Sequence, residues 1–277
     1  MALSPKVSFE FFPPRTEDGI HKLKETVVAL NSFNPEFYSV TFGAGGSTKE
    51  KTLETVMQIK AMNAEAVPHI SCISSTKDEV LELIDSYQAK DINRLVALRG
   101  DNPSGAVGGG DFSHANELVE FIRQETGDYF KIEVAAYPEF HPESSSSKDD
   151  LDNFQKKVDA GANGAITQFF FNADAYFKFM EECETRKITI PITPGIMPIY
   201  NITQLSRFAA NCGAEIPRWL RMRLESYNDD LDSLRDYGVE VISELCETLI
   251  QYQVPSLHFY TLNKSKTISR IINNLNL

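Results

Sequence analysis

Eight strand-like runs alternating with helical ones predict an α/β fold, a (β/α)8 TIM barrel forming a single domain over residues 1–277. Three observations carry this expectation. Each strand candidate is short, rich in β-branched and aromatic residues, and bounded by Gly, Pro, Asn or Asp. The stretches between them carry helical periodicity. No second compositional zone or linker divides a chain whose length suits one large α/β domain. A doubly wound open sheet is the runner-up architecture.

In chain order the strand candidates are KVSFEFFP (6–13), FYSVTFGA (37–44), AVPHISCI (66–73) and RLVALRGD (94–101). KIEVAAYP (131–138), GAITQFFF (164–171), ITIPITPGI (188–196) and SLHFYTL (256–262) complete the eight. Between them, Val80, Leu83, Ile84 and Tyr87 follow the i, i+3, i+4, i+7 spacing of a helix lying on a sheet. Ser47 with Glu50, and Thr76 with Glu79, have capping-box spacing. The longest helical pattern, 229–253, places Leu234, Val241, Ile242, Leu245 and Leu249 on one side, and a last helix spans about 265–275. NPSGAVGGGDF (102–112) reads as one mobile loop after the fourth strand.

Composition excludes several function classes. Apolar residues make up 42% and charged residues 24%, as in an ordinary globular protein. The 27 basic and 39 acidic side chains leave a net charge of −12, which repels nucleic acid and anionic lipid. An anionic ligand must therefore be held by a local cluster of donors. The start, MALSPKVSFEFF, has no secretory pattern, and no apolar run reaches the about 20 residues of a membrane span. Cys72, Cys183, Cys212 and Cys246 are scattered without a CxxC pair, as suits reduced thiols in a cytoplasmic protein.

Polar residues inside buried barrel strands need a reason. In the first strand Val7, Phe9 and Phe11 share one face, and Ser8, Glu10 and Phe12 the other. The apolar face is expected to meet the helices, so Glu10 points into the barrel near its C-terminal mouth, where barrel active sites sit. Surrounding phenylalanines would raise its pKa, as a general acid requires. The alternative is a buried Glu neutralised by a structural Arg or Lys. The fourth strand places Arg99 and Asp101 on one face at its end, as a site pair or as a plain internal salt bridge. Thr41, His69, Tyr137 and Gln168 lie near the same end of other strands. Each alone reads as a satisfied core polar group, but their convergence on one end marks a site.

Several familiar motifs are missing. GAGGST (43–48) lacks the spacing and Lys of a P-loop, and no GxGxxG follows the first strand. No GxSxG elbow, HExxH or metal-ligand cluster is present, so no metal site is expected. After the fifth strand, Asp150, Asn153 and Lys157 share a helix face with Lys156 beside them. Such a stripe is usually solvated surface, but in an acidic protein paired lysines near the mouth can hold a phosphate-bearing cofactor.

The strand ends SFEFFPPRT, SVTFGAGG, PHISC, VALRGD, VAAYPEFHPE, KKVDAGANGAITQFFF, PGIMPI and HFYTLN together resemble methylenetetrahydrofolate reductase of the short bacterial type. The resemblance runs over essentially the whole chain in the right order. It implies a (β/α)8 barrel that binds FAD without a Rossmann domain. It further implies oxidation of NADH or NADPH and reduction of 5,10-methylenetetrahydrofolate to 5-methyltetrahydrofolate, with reductant and folate alternating at one flavin face in a ping-pong scheme. That reaction feeds one-carbon metabolism and methionine synthesis.

By the same resemblance Glu10 is the acid that helps open the folate imidazolidine ring, and Asp101 tunes the flavin and stabilises a cationic iminium. Thr41, His69, Arg99, Asp101, Tyr137, His141, Asp150, Asn153, Lys156 and Lys157 match FAD-contact or flavin-adjacent positions. Gln168, Gln204, Phe208, Tyr260 and Lys264 match positions that hold folate or nicotinamide. Lys264 and Lys156 stand where Arg is expected, trading a bidentate fork for a point charge. A homo-oligomer is implied; the regulatory second domain of the longer eukaryotic type, with its S-adenosylmethionine control, is not expected. Two other classes compete: a non-catalytic folate- or flavin-binding partner subunit, and a cofactor-free barrel lyase, which would want a Schiff-base Lys at a strand end.

Overall fold

The computed structural model describes residues 5–42, 49–100 and 110–277. In chain order its elements begin β1 (Lys6–Phe11), α1 (Glu17–Asn31), β2 (Tyr38–Val40), α2 (Lys49–Lys60), β3 (Ala66–Ser71) and α3 (Lys77–Gln88). Next come β4 (Arg94–Leu98), α4 (Ala115–Thr126), β5 (Lys131–Ala136), α5 (Ser147–Asp159), β6 (Gly164–Thr167) and α6 (Ala173–Thr185). The chain then forms β7 (Ile192–Thr193), β8 (Gly195–Ile196), α7 (Ile202–Cys212), α8 (Arg218–Ser226), α9 (Leu231–Gln251), β9 (Ser256–Tyr260) and α10 (Lys266–Asn274).

The strands pair in parallel in the order β7-β6-β5-β4-β3-β2-β1-β9-β8. The seventh run, expected to be continuous over 188–196, is broken. Its halves β7 and β8 flank Pro194, whose ring nitrogen has no ladder hydrogen to give. One half pairs with β6 and the other with β9, so this divided strand brings both ends of the sheet together. The Thr193 and Ser256 hydroxyls meet at 2.8 Å across the seam, and His258 N donates to Pro194 O at 3.0 Å. The result is the eight-position barrel expected, not an open sheet.

Alternation sorts the side chains of β1 as read. Val7, Phe9 and Phe11 are buried under the helices, with the Phe9 ring 5.6 Å from Tyr38 and 6.0 Å from Phe259. Inside the barrel a separate apolar plug of Phe37, Val67, Val96 and Ile166 fills the waist. Below it, at the N-terminal end, Arg94 donates to Glu36 at 2.9 Å and to Glu133 at 2.7 Å, its guanidinium 3.8 Å above the Phe37 ring. A Cβ on Gly164 would fall 2.2 Å from Glu133 Oε2, so this layer needs glycine there.

Helix signals fare well. Thr76 and Glu79 make the reciprocal capping box, at 2.9 and 3.2 Å. The long helix occupies Leu231–Gln251 and buries the five apolar residues expected of it. Two shorter helices, α7 and α8, precede it. Ser47, the segment 43–48, Asp101 and most of 102–112 lie outside the described residues.

The strands stop sooner than their hydrophobic runs. β4 ends at Leu98, β5 at Ala136 and β6 at Thr167. Arg94, Val96 and Leu98 are the inward residues of β4, so Arg99 is not on an inward strand face. It lies past the strand end, where its guanidinium meets Glu143 at 2.7 Å. Past β6 the run continues with the buried Phe169, Phe170 and Phe171, whereas past β4 it continues with Arg99 and Gly100.

Candidate active site

Glu10 is the centre of the mouth. β1 lies between β2 and β9, opposite Ser39 and Tyr260, and the pleat turns Glu10 inward. Its side chain is one-fifth exposed, at 20%, so it is largely buried yet reachable. Burial raises its pKa above the ordinary carboxylate value, and His69 pulls it only partly back. His69 Nε2 stands 3.5 Å and His258 Nε2 3.9 Å from the same oxygen, Oε2. Burial pushes His69 down to about 4 against the pull of Glu10, and His258 down to about 3 against the pull of Glu133. Both rings are therefore neutral at neutral pH. Neither Nε2 has a hydrogen-bond partner among the described residues.

Tyr260 closes one side of this cluster. Its hydroxyl donates to Thr167 O at 2.7 Å, and burial lifts its pKa well above the ordinary phenol value. The ring crosses Gly195 so closely that a Cβ there would sit 2.7 Å from it and 2.1 Å from Thr167 O. Glycine at the broken seventh strand is what lets the tyrosine reach across. Thr41 stands at the end of β2 with its hydroxyl buried and without a hydrogen-bond partner among the described residues. Gln168, just past β6, folds its side-chain oxygen onto Phe169 N at 3.0 Å.

A second cluster gathers beyond β5. His141 packs edge-on against Tyr137 with ring centroids 4.7 Å apart. Burial lowers its pKa, with the Arg99 charge adding to the effect. Asp150 accepts from Ser144 Oγ at 3.1 Å. The two lysines of the α5 stripe diverge. Lys157 runs inward along the Phe154 ring to donate to Ala135 O at 2.6 Å. Burial depresses it to about 8, partly offset by Asp150 and reinforced by Arg99. Lys156 stays exposed and touches Asn153 Oδ1 at 3.2 Å.

A third group sits on α7, whose first turn is capped by Asn201 accepting from Gln204 N at 2.7 Å. Gln204 and Phe208 line a shallow depression there with Tyr200 and Leu262. Lys264 is exposed, its ammonium 4.6 Å above the Tyr200 ring. Thus the barrel joins Glu10, His69 and Tyr260, and separately Arg99, Tyr137, His141, Asp150 and Lys157. It leaves Lys156 and Lys264 on the surface. Asp101 lies outside the described residues.

Ser8 and His258 were not singled out as site residues. The signal was available: Ser8 shares the inward face of Glu10, and His258 lies two residues before Tyr260 on β9. A cavity of about 390 Å³ opens at the opposite end, beside Asn93, Arg94 and Lys131. That is the end of a barrel associated with stability rather than catalysis. Among the described residues no group of three or more His, Cys, Asp or Glu could hold a metal. Nor is any described helix long and apolar enough to cross a membrane.

A parallel barrel with a desolvated acid and two imidazoles at its C-terminal mouth has the form of a barrel enzyme. The family model for methylenetetrahydrofolate reductase matches residues 2–276, and the chain belongs to that family. It is 40% identical to the 5,10-methylenetetrahydrofolate reductase of Escherichia coli, over 94% of this chain and 87% of the relative. It is 39% identical to methylenetetrahydrofolate reductase (NADH) 1 of Arabidopsis thaliana, over 98% of this chain but 48% of that longer protein. Among solved structures, a Clostridium thermocellum protein described as binding two copies of 5-methyl-5,6,7,8-tetrahydrofolic acid superposes with a TM-score of 0.71. That match covers 99% of this chain and 94% of the other at 18% identity, and so speaks for the fold.

Proposed function

We propose that the protein reduces 5,10-methylenetetrahydrofolate to 5-methyltetrahydrofolate, with FAD as bound flavin and NADH or NADPH as reductant. The observation that carries the chemistry is Glu10, a carboxyl raised by burial and open to the mouth. Protonating a nitrogen of the folate imidazolidine ring opens it and leaves an electrophilic methylene carbon. Glu10 holds the proton for that step. Asp101 is assigned the electrostatic role, favouring the positive charge that develops on the substrate.

The donors past β5 fit a flavin dinucleotide. Lys157 carries a desolvated ammonium with hydrogens to spare beyond its one backbone acceptor, which suits a phosphate oxygen. Thr41 offers a buried hydroxyl with no partner among the described residues. Arg99, Tyr137, His141 and Asp150 gather in the same region, and His69, beside Glu10, is assigned to the flavin by the family resemblance. FAD, when bound, supplies hydride transfer between the nicotinamide and the folate methylene carbon. Gln168, Gln204, Phe208 and Tyr260 are assigned to orienting the folate or nicotinamide, with Lys264 at the rim. The same reading carries a cytoplasmic setting and a homo-oligomeric enzyme.

The test begins with colour and turnover. The purified protein is expected to be yellow, with about one FAD per chain, and to reduce 5,10-methylenetetrahydrofolate with at least one of NADH and NADPH. Colourless protein that cannot be reconstituted with FAD overturns the reading. Asp101→Asn is expected to slow folate reduction with FAD still bound; loss of FAD instead would make Asp101 a binding residue.

A further inference from the structure

His258 is fully buried, and its Nε2 is without a hydrogen-bond partner among the described residues. Its other nitrogen, Nδ1, lies 2.7 Å from Ser8 Oγ. Ser8 is fully buried too, and that contact is its one side-chain hydrogen bond among the described residues. Leaving a buried hydroxyl without an acceptor is costly, so Oγ–H donates to Nδ1. The ring is neutral, because burial and the Arg94 charge outweigh the pull of Glu133 and push it down to about 3. A neutral imidazole that accepts at Nδ1 carries its hydrogen on Nε2. Nε2 faces Glu10 Oε2, which His69 also approaches from β3. No hydrogen bond from a described residue reaches Oε1.

We propose that His258, held as its Nε2–H tautomer by Ser8, is a positioning residue that makes Oε2 of Glu10 the accepting oxygen and leaves the acidic proton on Oε1. The inference rests on the proton-donor role proposed for Glu10. In the step, the Oε1–H bond breaks and the hydrogen bonds to a folate nitrogen, whose lone pair forms the new bond. Glu10 becomes a carboxylate, and the negative charge it gains is met at Oε2 by the Nε2–H of His258. His258 neither gains nor loses a proton. At 3.9 Å the contact is long for a hydrogen bond, and contacts of this kind tighten once ligand is bound and charge develops.

Nitrogen NMR of protein labelled in its histidines reads the tautomer directly, without turnover. His258 is expected as Nε2–H in the wild type and to lose that preference in Ser8→Ala. His258→Leu is expected to slow folate reduction about tenfold, the scale of one lost hydrogen bond to a charged partner. It also removes a donor that favours ionised Glu10, so the alkaline limb of the rate profile moves to higher pH. The other groups facing Glu10 (His69 and Tyr260) and those facing His258 (Arg94 and Glu133) remain. Ser8→Ala is expected to have a smaller effect, absent when His258→Leu is already present. His258→Gln, whose amide can donate to Oε2, is expected to restore part of the rate and the profile.

An Nδ1–H tautomer in the wild type overturns the proposal, as does a Ser8→Ala effect of equal size with and without His258. Glu10→Gln run in parallel separates the two levels. If that variant still reduces folate, the proton-donor reading has failed. If it is inactive while His258→Leu keeps both rate and profile, the positioning role alone has failed.

Discussion

At the N-terminal end of the barrel Arg94 joins Glu36 and Glu133 at 2.9 and 2.7 Å, whereas at the mouth Glu10 faces two imidazole nitrogens at 3.5 and 3.9 Å. No Lys or Arg among the described residues pairs with Glu10. Burial acts upward on both Glu36 and Glu10, yet the outcomes are opposite. At Glu36, Arg94 outweighs burial through charge and hydrogen bond, helped by Lys131 and Lys6, and the pKa falls below its ordinary value. At Glu10 burial prevails and the pKa rises. The same side chain in the same barrel is thus shifted toward its charged form at one end and toward its neutral form at the other. The difference is the partner, since desolvation is common to both.

Removing the acid tests the mouth end most severely. Glu10→Gln is expected to lower folate reduction about 10²–10⁴-fold, the usual contribution of a general acid, while FAD binding and oxidation of the nicotinamide persist. Stopped-flow measurement of each half-reaction checks this, and folate reduction at the wild-type rate would contradict the contrast. At the other end, Arg94→Met strips buried Glu133 of its hydrogen-bonded partner and leaves it only the longer Lys131 contact at 3.7 Å. Denaturant unfolding is expected to show a loss of about 3–5 kcal/mol, as for other broken buried pairs. An unchanged midpoint would mean the two ends do not differ in this way.

The α5 lysines sharpen the comparison on a smaller scale. Lys157→Met is expected to weaken FAD binding about 10–100-fold, because a desolvated charged donor is lost. Lys156→Met, at an exposed position, should stay within about threefold. Equal effects in a flavin-binding titration would remove the distinction between the inward and outward lysine.

The smallest effect is in how stability depends on pH. Glu36 has a folded pKa below its unfolded one. Its contribution is present above the unfolded value, about 4.3, and is lost as pH falls through the folded value. Glu10 has a folded pKa above its unfolded one, so its contribution is full at low pH and is lost as pH rises through the folded value. Glu36→Gln should therefore flatten the acid side of the stability curve, and Glu10→Gln the side above it. Thermal unfolding across pH distinguishes them.

Much of this arrangement was legible beforehand because it follows from short-range rules. Alternation alone turned Glu10 inward and Val7, Phe9 and Phe11 outward. The pair Thr76 and Glu79 announced a helix start that the structure reproduces. Where the reading overshot, the cause was also physical. GAITQFFF continues past its ladder because Phe169, Phe170 and Phe171 are as buried as strand residues, and RLVALRGD was read three residues too far, so Arg99 was placed on a strand face it does not occupy. Pro194 was visible inside the seventh run, but its use as a break between two half-strands depends on β6 and β9 standing on either side.

By itself the chain determined the barrel, through eight repeats of a two-period and a 3.6-period pattern, and it determined that an acid would stand at the mouth. It also carried enough motif to be identified as a member of its family. Tertiary structure alone decided which charges are paired. Glu10 and His258 are 248 positions apart in sequence, Arg94 and Glu133 39 apart, and only barrel closure fixes their distances. Because desolvation and Coulomb terms depend on those distances, no linear pattern could have told the structural end of the barrel from the end read here as catalytic.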